Sequence, residues 1–198
     1  MPLWGASDSD ESKPKNLTTA QKKQVFANAS GWVLEAGSAL SGNDNTDADP
    51  EVLVAIGDLS TSIGAADITE VEMVTTTADK SEGFTISVRV RYNEPVNVVT
   101  TGGTPTLAVT NGNEGSGTGR GPHSLSYASG SGTNELIFSL AIAAANAATN
   151  ADDVLSVGAQ TIALNSGTMK DASGTASDAA RVISGALGTA AGSVTVTA

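Results

Sequence analysis

The chain has 198 residues and no cysteine, and its 21 acidic and 10 basic side chains give a formal net charge of −11. Ala, Thr, Ser and Gly supply about half of it, and two Trp, two Tyr and three Phe are its only aromatics. No apolar run reaches the roughly 18 residues of a membrane span, and the absence of cysteine excludes a disulfide framework, an iron–sulfur cluster and a thiol nucleophile.

The stretch from Met1 to Lys15 is polar and acidic apart from Leu3 and Trp4. It has no basic-then-apolar leader pattern, so no secretory signal is expected, and it reads as an extended arm. Thr18 and Gln21 have the spacing of a capping box. They predict a short helix through Gln24, with Val25 and Phe26 as its apolar side and Gly31 as its stop. Trp32-Val33-Leu34 reads as a short strand. Ser41 to Pro50 is a turn-forming stretch dense in Asn, Asp and Gly. Val52 to Ile56 reads as a second strand, paired with the first as a small hairpin. Residues 1–68 have too little apolar surface to fold alone. They are expected to pack on the rest of the chain or to be ordered by a partner.

Residues 69–198 have an all-β pattern. Glu70 to Val74 alternates polar and apolar side chains. Phe84, Ile86, Val88, Val90 and Tyr92 share one face of the clearest strand, with Thr85, Ser87, Arg89 and Arg91 on the other. Pro95 is expected to end that strand. Further strands are predicted at Val96–Thr100, Thr106–Thr110, Ser124–Tyr127, Glu135–Ile142, Val157–Leu164 and Ser193–Thr197. The Ala-rich stretch Ala141 to Ala151 reads as a strand end followed by a loop or short helical turn. The turn spacing is that of a β-sandwich.

Little in the chain points to catalysis or to a cofactor. His123 is the only histidine, and it follows Gly121-Pro122 in a Gly-rich stretch. One histidine and no cysteine are a poor zinc set. No nucleophile elbow surrounds a serine. The stretch Asn111 to Gly121 lacks the Gly-Lys-Ser/Thr ending of a phosphate loop and reads as a surface loop in which Arg120 contacts a neighbour. Asn43 to Asp49 is rich in hard oxygen ligands, so Ca²⁺ is the one ion considered. It lacks the glycine and glutamate that complete an EF-hand loop, and an acidic surface turn is the simpler reading. Asp152, Asp153 and Asp171 form no recognisable ligand set.

The basic residues are scattered, and their densest group, Lys13, Lys15, Lys22 and Lys23, lies beside Asp8, Asp10 and Glu11. That is no stripe for a phosphate backbone, so neither nucleic acid nor a membrane is an expected partner. Trp32 adjoins Val33 and Leu34 and reads first as a core residue. Trp4 sits in a polar arm, where a large apolar group gains by insertion into a partner's pocket. Trp4, Lys13, Lys15, Lys22, Lys23 and Trp32 are the candidate attachment residues.

Several runs resemble a known family in chain order. They are Val90-Arg91-Tyr92-Asn93-Glu94-Pro95-Val96, Val99 through Leu107 around Gly102-Gly103-Thr104-Pro105, Tyr127 through Phe138 around Ser129-Gly130-Ser131-Gly132-Thr133-Asn134, Asp152 to Leu155, and Leu164 to Gly174. Together they resemble a bacterial immunoglobulin-like repeat of cyanobacterial cell-surface proteins and phage virion proteins. The first zone, with Met1-Pro2-Leu3-Trp4-Gly5, Asp10 to Lys15, Gly31-Trp32-Val33, Val52 to Ile56 and Leu59 to Thr69, resembles the start of virion structural proteins of tailed phages of marine cyanobacteria.

The resemblance implies an all-β protein: an immunoglobulin-like antiparallel β-sandwich of about seven strands over residues 69–198, preceded by an arm, a short helix and a small hairpin. It further implies a non-enzymatic virion subunit without a cofactor, assembled in the host cytoplasm in many copies. The expected place is the capsid exterior, as a decoration or cement protein bound to the major capsid protein. A neck or tail position, or a carbohydrate-binding adhesion module with weak affinity for host-surface glycan, are the alternatives.

Overall fold

A computed structural model describes residues 13–14, 16–113, 122–146, 148–173 and 176–198. Trp4, Lys15 and Arg120, with most of the predicted arm and of the Gly-rich stretch, lie outside the described residues. The protein is all-β.

The N-terminal segment starts with α1 (Thr19–Lys22), followed by β1 (Val25–Asn28), β2 (Gly31–Leu34) and β3 (Glu51–Ala55), and ends with α2 (Leu59–Ser62). The predicted capping box is present: Gln21 N donates to Thr18 Oγ1 at 3.2 Å and Thr18 N donates to Gln21 Oε1 at 2.9 Å. The helix is one turn long, however, and Val25 and Phe26 do not belong to it. They pair antiparallel with Leu34 and Val33, because a β-branched and an aromatic residue pack better on a pleated sheet than on a one-turn helix. Gly31 therefore opens β2 rather than stopping a helix. The predicted β2–β3 hairpin forms despite its long connection, as part of a three-stranded sheet in the order β1-β2-β3. Val25, Ala27, Trp32, Leu34 and Leu59 make a small core of its own.

The larger unit contains β4 (Ile68–Met73), β5 (Ala78–Asp79), β6 (Phe84–Val99), β7 (Thr106–Asn113), β8 (His123–Ser129), β9 (Thr133–Ile142) and β10 (Asp153–Ser156). It continues with β11 (Gln160–Thr161), β12 (Thr168–Asp171), β13 (Val182–Ile183), α3 (Gly185–Ala190) and β14 (Ser193–Thr197). Nine of these strands form one sheet in the order β12-β6-β9-β8-β7-β10-β14-β5, with β4 also beside β6. Its curl originates at β7, which pairs with β8 along Thr106–Val109 and with β10 along Thr110–Asn113. A strand that changes partner midway turns the sheet back over itself. One core results, with Ile86, Val88, Val90, Tyr92, Leu107, Leu125, Leu136, Phe138, Leu155 and Val196 inside. Tyr127 and Phe138 meet edge to face at 6.0 Å across the predicted hairpin.

Five further features differ from the sequence expectation. Eleven strands, β4 to β14, rather than about seven, lie in the region expected to form the sandwich, counted among the described residues. The pairing is not wholly antiparallel, because β14 and β5 run parallel. Pro95 does not end its strand: β6 runs on to Val99, and its register against β9 shifts between Arg91 and Val96. An irregularity is where a ladder tolerates a residue without an N–H. The expected separate strand Val96–Thr100 is thus the end of β6, which stops at Val99 and pairs there with β12. The predicted strand Val157–Leu164 is reduced to β11, which pairs with β13.

Candidate functional site

The three-stranded sheet sits on the outer face of β4, β6 and β9, and the seam between them is charged. Register places Glu70, Arg91 and Glu135 side by side on these three strands. Alternation turns all three away from the core. Arg91 Nη1 pairs with Glu70 Oε2 at 2.6 Å, and Arg91 Nε pairs with Glu135 and, at 3.5 Å, with Glu35 Oε1 from beyond β2. Arg89 pairs with Glu72 at 2.5 Å and with Glu135 at 3.5 Å. Lys23 pairs with Glu70, and Asn134 Nδ2 donates to Glu35 Oε1 at 2.8 Å. Burial raises the Glu35 carboxyl, with Arg91 opposing. Burial would raise Glu70 too, but hydrogen bonds from Lys23 and Arg91 prevail and hold it below the usual range. Burial opposes the Arg91 charge, and Glu70, Glu35 and Glu135 more than offset it. Beside this network lies a cleft of about 440 Å³ with Phe26, Asn28, Pro95 and Asn134 in its walls.

The candidate attachment residues divide. Lys13, Lys22 and Lys23 come together around one shallow hollow with Thr19 and Thr69. Trp32 lies in the small core, 2% exposed, where it packs rather than offering a surface. Lys13 Nζ donates to the Lys22 carbonyl at 2.6 Å. Burial lowers the Lys13 ammonium to about 8, against the pull of Glu35 and Glu70.

This shift has a sign that can be measured. Between about pH 8 and 10.5 an unfolded Lys13 holds a proton that the folded one has released. Stability therefore rises with pH across that window. Lys13→Met is expected to flatten the rise in urea unfolding curves taken from about pH 7.5 to about 10. Equal slopes for both proteins would contradict the assignment.

Two polar clusters are buried elsewhere. His123 lies in β8 and is buried, not in a surface loop as its Gly-rich flank suggested. Its Nε2 is 2.9 Å from Thr149 Oγ1, and burial holds its pKa below the usual value while Asp153 opposes. Asn111 Oδ1 and Asp153 Oδ1 are buried near it without a hydrogen-bond partner. The second cluster joins Glu94 of β6, Asp171 of β12, Ser173 and the Ser60 carbonyl of α2. Burial first, then Asp171, pushes the Glu94 carboxyl up to about 8.

The Asn43–Asp49 stretch is a chain of local turns, in which Asn45 N donates to Asn43 Oδ1 and Asp47 N to Asn45 Oδ1, both at 3.0 Å. No group of three acidic or histidine side chains suited to a metal is found among the described residues.

Sequence reasoning missed the charged seam, although its signal was present. Glu70 and Glu72 alternate outward on one strand, as Arg89 and Arg91 do on another. Glu94 was legible in the same way, since it shares the parity of Ile86, Val88, Val90 and Tyr92. In comparisons with known proteins, the chain matches no family model, no curated protein and no solved structure.

Proposed function

We propose that the chain is a non-enzymatic structural subunit of a phage virion, a decoration or cement protein on the capsid exterior. It attaches through its N-terminal region and projects an immunoglobulin-like sandwich outward. The observation that carries the reading is the open edge of the N-terminal sheet. β3 is an edge strand, and its Val52 and Leu53 are 48% and 37% exposed. Unpaired, apolar edges invite pairing with another chain, and monomeric proteins usually cover or charge them. Lys13, Lys22 and Lys23 present a basic hollow in the same region of an acidic protein. With Trp4 and Lys15 of the preceding arm, they are the proposed contacts to the major capsid protein. Repetition around a shell turns modest single contacts into avidity.

The strand order supports the immunoglobulin-like part. Naming β4, β6, β7, β8, β9, β10 and β14 as strands A to G gives the neighbours A-B-E-D and C-F-G. That is the order of the two sheets in an immunoglobulin constant-type domain. The strand pairs β11–β13 and β12–β6 are additions between F and G.

Two variants test the attachment. Removal of residues 1–12, and Leu53→Lys on the open edge, are each expected to lower occupancy on purified particles at least about tenfold, a loss of about 1.4 kcal/mol per site. Circular dichroism should be unchanged. Unchanged occupancy in both would overturn attachment by the N-terminal region.

A further inference from the structure

Three oxygens surround the Ser173 hydroxyl. Ser173 Oγ lies 2.6 Å from the Ser60 carbonyl, 2.6 Å from Asp171 Oδ1 and 3.3 Å from Glu94 Oε2. One hydroxyl carries one proton, so it satisfies only one of these acceptors. Ser173 N donates to Asp171 Oδ1 at 2.6 Å and serves no other oxygen of the set. Independently, Glu94 is fully buried and its Oε1 has no hydrogen-bond partner. A buried carboxylate oxygen left bare beside a second buried carboxylate costs several kcal/mol unless a proton or a cation joins it. No lysine or arginine is paired with either carboxylate among the described residues. A crevice of about 310 Å³ has Ser60 and Ser173 of this set in its walls, together with Asn28, Thr61, Pro95 and Ala172.

We propose that Glu94, Asp171, the Ser173 hydroxyl and the Ser60 carbonyl form a Ca²⁺ site that fastens the N-terminal sheet to the larger one. The donor set is all hard oxygen, with two carboxylates, a hydroxyl and a backbone carbonyl, and it suits Ca²⁺ with water completing the shell. Mg²⁺ fits less well, because it keeps most of its water and demands a near-ideal octahedron. The placement gives the ion a structural task. Ser60 comes from α2 of the N-terminal segment, while Glu94 and Asp171 come from paired regions of β6 and β12. One ion there ties the attachment region to the sandwich. The site is distinct from Asn43–Asp49 and does not depend on the virion reading.

The test uses the full chain, stripped with EDTA and titrated with CaCl₂ or MgCl₂ at constant ionic strength. Calorimetry is expected to show one calcium site. The melting temperature should rise by about 5 °C or more once Ca²⁺ is about 100-fold above its Kd. Mg²⁺ should give a much smaller shift. E94Q and D171N should each abolish the heat and the shift while keeping the native circular dichroism spectrum. The inference is overturned if the wild type shows neither heat nor shift. It is equally overturned if E94Q and D171N bind calcium like the wild type, which would put the ion elsewhere, as at Asn43–Asp49.

Discussion

Arg91→Met is expected to cost about 3–5 kcal/mol of unfolding free energy at neutral pH, measured by urea denaturation. The side chain is 12% exposed and faces Glu35, Glu70 and Glu135 at once. Methionine keeps the aliphatic volume but withdraws the one charge common to the three carboxylates. Glu70 retains Lys23, and Glu135 retains Arg89. Glu35 retains the Asn134 amide but no direct ion pair among the described residues, and is the most exposed to the loss. Removing one partner of a buried pair leaves an uncompensated charge, and this is far costlier than replacing the whole group by apolar residues. The double variant Glu35→Gln with Arg91→Met is therefore expected to recover part of the loss. A single-variant cost below about 1 kcal/mol would place the network among ordinary surface ion pairs and remove the seam from this account.

Gly31→Ala is expected to unfold the N-terminal sheet while sparing the larger one. Gly31 has a φ of +132°, and a Cβ there would stand 2.0 Å from the Val54 carbonyl oxygen and 2.6 Å from Ile56 N. Both atoms are backbone, so β3 has to move away from β2. The combined conformational strain and lost pairing should cost about 3 kcal/mol or more. Gly42→Ala is a useful control: its φ is +67° but no atom lies within 4 Å of the added carbon. It should cost only about 1 kcal/mol. Hydrogen exchange separates the two. In Gly31→Ala, β1 to β3 should lose protection while β6 and β9 keep theirs. Uniform loss along the chain would mean that the two sheets fold as one unit.

The parts of the fold most visible in the sequence were those set by local alternation. Ile86 to Tyr92 showed the core face of β6, and the glycines around Ser131 showed the hairpin that brings Tyr127 to Phe138. The errors arose where a non-local partner overruled a local signal. Val25 and Phe26 follow good helix formers, yet β2 claims them. Pro95 is a strand breaker by local rule, yet an irregular register absorbs it. The short strands β5, β11, β12 and β13 have two to four residues each and take their shape from the partner they meet. The proposed attachment residues were legible only as composition. The sequence offered lysines near the start but could not tell Lys23, already paired with Glu70, from Lys13, tucked against the Lys22 carbonyl. Glu94 was read as part of a motif, and its burial became meaningful only when β12 brought Asp171 beside it.

The most direct test of the central claim is quantitative mass spectrometry of purified particles made by the genome that encodes this chain. A decoration protein is expected in the particle at hundreds of copies, in fixed ratio to the major capsid protein. A count of about 6 or 12 would move it to the cyclic portal axis, and its absence from purified particles would contradict the virion reading outright.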